Sequence, residues 1–583
     1  MFADSLSMKN RGIFLFIFAV CLFYATLRLV AIWHIPFVGD EPDDLIIVRD
    51  DFHQAARFFA RSYEPHQARL ETIVSTPLAA LLHENALIPN RILFLIFNGL
   101  FLFYNFKLIL LATKDKVAAW GYFFLLLTST FLASFSIFAG SQGDSLYLFF
   151  HAASLYYFYR NYLELKQTGI FRNYLFLALL LGACMASKFF GLLLLFSFFL
   201  FHLLDRASPF RMTVVAIDPK QMIKAGVLFL CSIFLIGAGP LSSLQKLSLA
   251  LSAGLFYFGY VLHAILRQRG ESALLKPTNK IEFWIAIGLT SLGLALIFSP
   301  IYLNWRNLMV NFSYSKAWAD VSSFQQNHFY DIPIALVLKF GLISCSVLLM
   351  PVAVFLLRKE KIRFGSFTFL VLLCSGIQAL AIASVHTKNV LWLLGVFPFL
   401  YLPLVWLWRR SKLEHSKILR ALTLLCFSVI ILDNNSRYFQ WFPYGHLDGA
   451  QYGKQFIGMS KPGFVSFEGI PYLYEVLSPF GGKTEDKLIE VNCQVISVSK
   501  WSHWFNKLVS DYFAKTKKNN RFHFYTSPTK VDNKADFLIS SPLYNPSFEK
   551  KIPRSEYELI KTVSVKGIDM ISVWRKKSQE GKI

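Results

Sequence analysis

The chain has 583 residues, 55% hydrophobic and only 16% charged, with 60 phenylalanines and a mean hydropathy of +0.45. Soluble domains carry about 25% charged residues, so the composition excludes a soluble enzyme and leaves a polytopic membrane protein. The formal net charge of +23 comes largely from short loops between apolar runs, where Lys and Arg set orientation; no nucleic-acid partner is expected.

The first apolar run, Gly12 to Trp33, is long for a signal-peptide core and ends in Ala31-Ile32-Trp33 without a small-residue cleavage pattern. It reads as a retained span with Lys9 and Arg11 on the cytoplasmic side. Immediately after it, Val38-Gly39-Asp40-Glu41-Pro42-Asp43-Asp44 packs its carboxylates together. Ionised carboxylates are excluded from hydrocarbon, so this cluster belongs at a membrane face. The loop 34–90 that carries it also reads as an amphipathic surface helix between Pro36 and Ser75, with Phe58, Phe59 and Tyr63 among His53, Arg57 and Arg61.

Further spans are expected at Arg91–Ala112, Val117–Ala139 and from Asp144 to Arg160. Tyr174–Ala186 and Phe189–Leu204 are each short, with Ser187-Lys188 between them; basic flanks at both outer ends favour two short helices returning to one side. Ala225–Leu241, Leu247–Leu266, Phe283–Leu303, Pro333–Leu357, Phe364–Val385, Val390–Trp408 and Ile418–Leu432 follow. The total is about 13 transmembrane helices. Lys and Arg alternate between rich and poor loops accordingly, which puts the N-terminus inside and the C-terminal part outside.

The expected domains are a membrane domain, 1–432, and a small extracytoplasmic α/β domain, 433–583. In the latter, Val495–Val498, Phe522–Tyr525, Asp536–Ser540 and Ile568–Trp574 read as strands and Trp501–Ala514 as a helix. Six of the seven cysteines lie in apolar runs and Cys493 stands alone in the polar part, so neither a disulfide framework nor a zinc site is supported. Walker, GxGxxG and HExxH patterns are absent, which argues against an ATPase or a zinc protease.

Asp40 and Glu41 have the chemistry of a general base and a partner that binds sugar hydroxyls or orients the base. The plainer reading is a solvated turn before a helix started by Pro42. Asp144 opens a span as Asp-Ser-Leu-Tyr, where it is also a good helix cap. Lys188, among apolar neighbours, either lines a polar cavity and meets a phosphate or snorkels to the interface. His386 and Lys388, and His66 and Arg69 in the first loop, are candidate phosphate or sugar contacts that equally serve as interfacial anchors.

Gly39-Asp40-Glu41-Pro42 after the first span, Thr76-Pro77-Leu78 before the second, Asp144-Ser145-Leu146-Tyr147 and Ser187-Lys188-Phe189-Phe190-Gly191 together resemble the GT-C type membrane glycosyltransferases. The nearest branches are the bacterial protein O-mannosyltransferase-like and aminoarabinose-transferase-like enzymes. His386-Thr387-Lys388 ahead of Pro398 is a weaker echo, and Ala535–Ile539 is the clearest match to an appended outer domain. The resemblance implies a catalytic base at Asp40, a second acid of the outer face at Asp144, and Lys188 near a carrier phosphate. Asp43 stands where the aminoarabinose branch has an arginine, and Ser75-Thr76 where it has a lysine before Pro-Pro-Leu. An aminoarabinose donor is therefore not expected.

The expected activity is inverting transfer of a monosaccharide from a polyprenyl-phosphate carrier to an acceptor hydroxyl at the outer face of a bacterial inner membrane. It would serve cell-envelope glycan, glycolipid (including lipopolysaccharide) or glycoprotein assembly. Partners are the lipid-linked donor, a lipid, glycan or protein acceptor, and membrane lipids. No cofactor is called for, although a carboxylate cluster has the chemistry to hold a divalent metal. The alternatives are a transporter or flippase of lipid-linked sugars and a non-catalytic envelope assembly protein.

Overall fold

Backbone polar groups in hydrocarbon must be satisfied without water, which leaves helices as the way for an apolar chain to cross. Helices accordingly dominate the computed structural model. It describes residues 8–34, 70–82, 87–135, 144–168, 170–171, 173–188, 190–205, 211–214, 219–238, 243–267, 274–277 and 280–298. Further on it describes 337–357, 366–384, 394–443, 470–480, 491–495, 509, 522–526, 531–532, 534–542 and 549–577. Two compact units result: Met1–Ile32 with Asp44–His446, and Trp33–Asp43 with Leu447–Ile583.

In chain order the first unit contains α1 (Met8–His34), α2 (Leu70–Leu82), α3 (Leu87–Thr113), α4 (Lys116–Thr128), α5 (Thr130–Phe135), α6 (Asp144–Thr168) and β1 (Ile170–Phe171). Next come α7 (Tyr174–Ser187), α8 (Gly191–Leu204), β2 (Arg211–Val214), α9 (Pro219–Ala238), α10 (Ser243–Arg267), β3 (Leu274–Pro277) and α11 (Lys280–Phe298). The unit closes with α12 (Leu342–Leu357), α13 (Phe367–Ser384), α14 (Leu402–Leu413) and α15 (Lys417–Trp441). Among the described residues, five helices are long and apolar enough to cross a membrane: α1, α3, α10, α11 and α15. The chain is an integral membrane protein. Shorter apolar helices, α4, α7, α8, α12 and α13, stand beside them.

Several expected spans change shape. The stretch expected from Val117 breaks at Ser129, where ψ is 114° and α4 gives way to α5. Val390–Trp408 is not one helix over its described part. Phe397–Tyr401 is a 3-10 turn and α14 begins at Leu402, with Pro398 and Pro403 near the two starts. Proline has no N–H to donate, so it suits such first positions and not a helix interior. At the end of the unit, α15 runs past Leu432 to Trp441.

The bundle has two distinguishable ends. Ring contacts pair Phe97 with Phe149 and Tyr104 with Tyr156, stepping the same way along both helices, so α3 and α6 run parallel. The connections α6–α7, α8–α9 and α10–α11 meet in a small sheet, with β1 parallel to β2 and β2 antiparallel to β3. No strand was expected there, because two to four residues carry no readable period. At this sheet end, the Tyr162 hydroxyl donates to the Asp205 carboxylate, and Lys280 donates to the carbonyls of Asp205 (2.9 Å) and His202 (3.4 Å). The opposite end carries the α7–α8 turn with Lys188 and the start of α6.

That turn is sharp. The Lys188 N–H closes α7 onto Cys184 O (2.9 Å), and the Gly191 N–H returns to Lys188 O (2.9 Å). A methyl at Gly191 would come 2.5 Å from the Met185 nitrogen, a backbone atom that cannot move aside.

The second unit, taken by itself, has α16 (Ile470–Leu477) and a five-stranded sheet of order β5-β4-β6-β8-β7. Its strands are β4 (Val491–Val495), β5 (Phe522–Thr526), β6 (Phe537–Ser540), β7 (Tyr557–Val565) and β8 (Ile568–Lys576). β5, β4 and β6 are parallel, whereas β8 and β7 form an antiparallel hairpin on the β6 side. Three of the expected strands stand where they were expected. β4 lies ahead of the expected Val495–Val498, since Asn492 and Gln494 obscure its apolar pattern; Gln494 is buried and accepts the Asp532 N–H at 2.7 Å. Residues 496–498 lie outside the described residues, as does the Trp501–Ala514 helix apart from Val509. Likewise the expected surface helix is described only from Leu70 onward.

Replacing Gly191 by Ala is expected to cost about 1–3 kcal/mol through overpacking. Gly99→Ala, where nothing lies within 4 Å of the added methyl, should be neutral or stabilising by up to ~1 kcal/mol. Thermal unfolding of the detergent-solubilised protein separates the two; equal midpoints would contradict the packing argument. A second expectation concerns Asp115, which caps α4 through Val117 N (2.9 Å) and Ala118 N (3.4 Å). It also accepts from Trp408 Nε1 (2.9 Å) and Lys412 Nζ (2.7 Å). Burial alone would raise its carboxyl, but the hydrogen bonds from Lys412, Trp408 and the two amides outweigh it and hold the pKa below the ordinary value. A depressed pKa stabilises the fold above the unfolded value, about 3.9, and that contribution fades as pH falls through the lowered one. Asp115→Asn should therefore be less stable than the natural chain at pH 7, with the gap closing on acidification below about pH 4.

Candidate functional site

Because α7 and α8 have 14 residues each, at 1.5 Å per residue they are about 21 Å long, short of an apolar slab of about 30 Å. Their junction, at Lys188, lies at the end of the bundle opposite the small sheet. The lysine is half-buried, and its ammonium lies 6.0 Å from the centre of the Tyr147 ring. Tyr147 stands one turn into α6, three residues after Asp144, which begins that helix. Asp144 and Lys188 are thus brought to the same end of the bundle, the first by its backbone position and the second by its contact.

Beneath the ammonium the surroundings are polar but buried. Gln378 Nε2 on α13 donates to the Tyr147 hydroxyl at 3.3 Å, and both side chains are almost fully enclosed. His151, one further turn along α6, is buried beside Tyr147 and Phe399. Gly395 approaches closely from the segment before the 3-10 turn: a methyl there would meet Gln378 Oε1 at 2.6 Å and the Tyr147 hydroxyl at 2.7 Å. Ser187, just ahead of Lys188, turns its hydroxyl back to Ala183 O at 2.9 Å.

Two neighbouring elements come to this end. The Arg91 guanidinium donates to Ile32 O at 3.0 Å, so the last turn of α1 stands beside the start of α3. Leu70 of α2 packs with Phe94, Leu146, Ala183, Met185 and Ala186. The acidic stretch lies in sequence between these two elements. Asp40, Glu41, His66, Arg69, His386 and Lys388 themselves lie outside the described residues. Among the described residues, no group of three or more His, Cys, Asp or Glu could hold a metal ion.

Tyr147, Gln378 and Gly395 were not singled out by sequence reasoning as site residues. Arg28 and Arg91 were also passed over. Arg28 lies deep in the first apolar run, 4% exposed, and its Nη atoms donate to Asn98 Oδ1 and Leu127 O, both at 3.0 Å. An ionisable residue inside a span is expensive and deserved attention on that ground alone. Its acceptors show a structural use, since Leu127 is in the last turn of α4, where carbonyls have no partner within the helix.

Neither the known protein-family models nor the curated proteins match this sequence. Solved structures give distant likenesses. The oligosaccharyltransferase of Archaeoglobus fulgidus in its apo form has 16% identity and a TM-score of 0.39 over 83% of this chain and 64% of that one. The oligosaccharyltransferase AglB from Archaeoglobus fulgidus in complex with an inhibitory peptide and a dolichol-phosphate gives 13% identity and a TM-score of 0.36, covering 89% and 69%. This chain thus spans just under two thirds of the length of the first of these structures.

Replacing Arg28 by Met leaves Asn98 Oδ1 and Leu127 O buried without these donors. At about 1–3 kcal/mol for each stranded group, the variant should unfold at clearly lower temperature. Arg28→Lys should recover only part, because one ammonium cannot reproduce the forked geometry. Full recovery by lysine would show that charge alone matters.

Proposed function

We propose that this protein is an inverting glycosyltransferase of the GT-C type. It moves a monosaccharide from a polyprenyl-phosphate carrier to an acceptor hydroxyl at the extracytoplasmic face of a bacterial inner membrane. On this reading the N-terminus is cytoplasmic, about 13 helices cross the bilayer, and the domain that follows the last span faces outward. The observation that carries the reading is the cationic end of the short α7–α8 pair. Lys188 is set there beside the first turns of α6. Asp40 and Glu41 lie in sequence between α1 and α2, both of which come to this end.

The chemistry follows from the residue types. Asp40 takes the acceptor hydroxyl proton as that oxygen attacks the anomeric carbon; the new C–O bond forms as the bond from that carbon to the phosphate oxygen breaks. Glu41 orients the base or binds sugar hydroxyls. The polyprenyl phosphate departs with an added negative charge, which Lys188 stabilises, assisted by Arg69, His66, His386 or Lys388. Asp144 binds substrate hydroxyls from the start of α6. A lysine among apolar neighbours has reason to line a polar cavity, where a lipid phosphate is an anion it can meet.

Purified protein incubated with a labelled polyprenyl-phosphate monosaccharide and a membrane extract as acceptor should release the carrier phosphate and label a product. Asp40→Asn should slow transfer at least about a hundredfold, while Lys188→Met should chiefly weaken use of the donor. Transfer by Asp40→Asn at the natural rate would sink the mechanism.

A further inference from the structure

We propose that the seam between α3 and α6 binds an anionic phospholipid of the surrounding bilayer, whose phosphate sits between Lys107 and Arg160. The two helices run parallel. The Tyr104 ring of α3 meets the Tyr156 and Tyr157 rings of α6 with centres 5.7 and 6.0 Å apart. Lys107 follows Tyr104 by three residues and Arg160 follows Tyr157 by three, so the two cations come level on neighbouring helices. The outer face of α3 is open here: Phe103 is 47% exposed and lies against Tyr104. The Lys107 ammonium is 5.5 Å from the centre of the Phe103 ring, and among the described residues it forms no ion pair. Arg160 is exposed, with its Nε 3.5 Å from Glu164 Oε1. A guanidinium has five donors, more than that one oxygen takes up.

The place suits a lipid headgroup. Lys107 lies about 9 Å along the axis before the end of α3, where the exposed Lys114 and Lys116 flank the turn into α4. A headgroup layer is about 5–8 Å thick on each side of a bilayer, so Lys107 falls near its inner boundary. Tyrosines beside basic residues mark that boundary. Beyond the cations the seam continues as half-buried rings: Tyr104 meets Phe149 at 5.8 Å, and Phe149 meets Phe97 at 5.7 Å. That row runs along the helices toward the Lys188 end, as an acyl chain hanging from a phosphate at Lys107 would. Two cations against one acid favour a lipid of net negative charge, because a zwitterionic headgroup brings an ammonium of its own. A lysine that only snorkels needs no second cation at its level.

The test is lipid retention by the detergent-solubilised full-length protein, titrated with phosphatidylglycerol or phosphatidylcholine and read by native mass spectrometry. Phosphatidylglycerol should be held at least about tenfold more tightly. Lys107→Met and Arg160→Gln should each weaken it about fivefold, the size of one basic contact to an anionic lipid, and leave phosphatidylcholine unaffected. Lys417→Met, which removes an exposed lysine at the start of α15, should change it by less than about twofold. Equal retention of the two lipids, or natural affinity in both seam variants, overturns the proposal. So does an equal loss in Lys417→Met, which would show diffuse attraction to basic residues and no site. Tighter binding of undecaprenyl phosphate than of phosphatidylglycerol, lost in Lys107→Met, also overturns it, because the seam would then hold a polyprenyl carrier. Should Lys107→Met fail to fold, Arg160→Gln decides, since its exposed ion pair with Glu164 contributes little to folding.

Discussion

A helix that ends or breaks inside an apolar bundle exposes carbonyls that no water can reach, and the membrane unit depends on how these are answered. Each orphaned group costs several kcal/mol in hydrocarbon. Three guanidinium groups meet the demand. Arg28 reaches Leu127 O near the α4–α5 break, Arg91 reaches Ile32 O in the last turn of α1, and Arg437 reaches Leu338 O (2.6 Å) and Lys339 O (3.2 Å). Those last two carbonyls precede Gly341, whose φ of +97° breaks the helix before α12. Asp433, one turn before Arg437, then takes up the N–H (3.2 Å) and hydroxyl (2.6 Å) of Ser344 in the new helix. A guanidinium suits such places because it has five donors in a fixed fork, and a cation at a helix C-terminus is further favoured by the dipole.

The consequence reaches the lysine end. The breaks let short elements replace full spans, and these elements are tied across the unit by buried hydroxyls. Tyr122 donates to Pro398 O at 2.7 Å, Thr130 to Asn434 O at 2.8 Å, and the Asn434 amide to the Tyr401 hydroxyl at 3.2 Å. Phe397 stacks on Phe131 with ring centres 4.2 Å apart. This fixes the 3-10 turn and, just ahead of it, Gly395, which abuts Tyr147 and Gln378. Rigidity at the arginine-capped breaks is in this way passed to the surroundings of Lys188. The break at Lys188 differs from the others: backbone N–H groups of Lys188 and Gly191 close it, and the ammonium lies 6.0 Å from the centre of the Tyr147 ring.

Much of the helical layout was legible because apolar runs of spanning length, with basic flanks, have few alternatives. The two short helices around Lys188 were readable from Arg172 on one side and Arg206 on the other. Other features hid for identifiable reasons. Arg28 is a single charge averaged away among some twenty apolar neighbours. The strand β7 pairs with β8 through register shifts between Leu559 and Lys561 and between Val563 and Ser564, and exposed Leu559 and Lys561 interrupt the buried series of Tyr557, Val563 and Val565. The break at Ser129 has no proline or glycine to announce it; it is held by a hydrogen bond that Thr130 makes to a residue some three hundred positions away.

The site divides along the same line. Charges such as Asp40, Asp144 and Lys188 stand out in a hydrophobic sequence because each carries a cost that demands a reason. Their supports carry no such mark. Tyr147 and Gln378 are separated by 231 positions, Gly395 is one glycine among 31, and each alone fits an ordinary helix or turn. Only packing brings them together beside the lysine. A sequence can therefore announce a charge beside a membrane segment, while the groups that surround the charge emerge from contacts between distant segments.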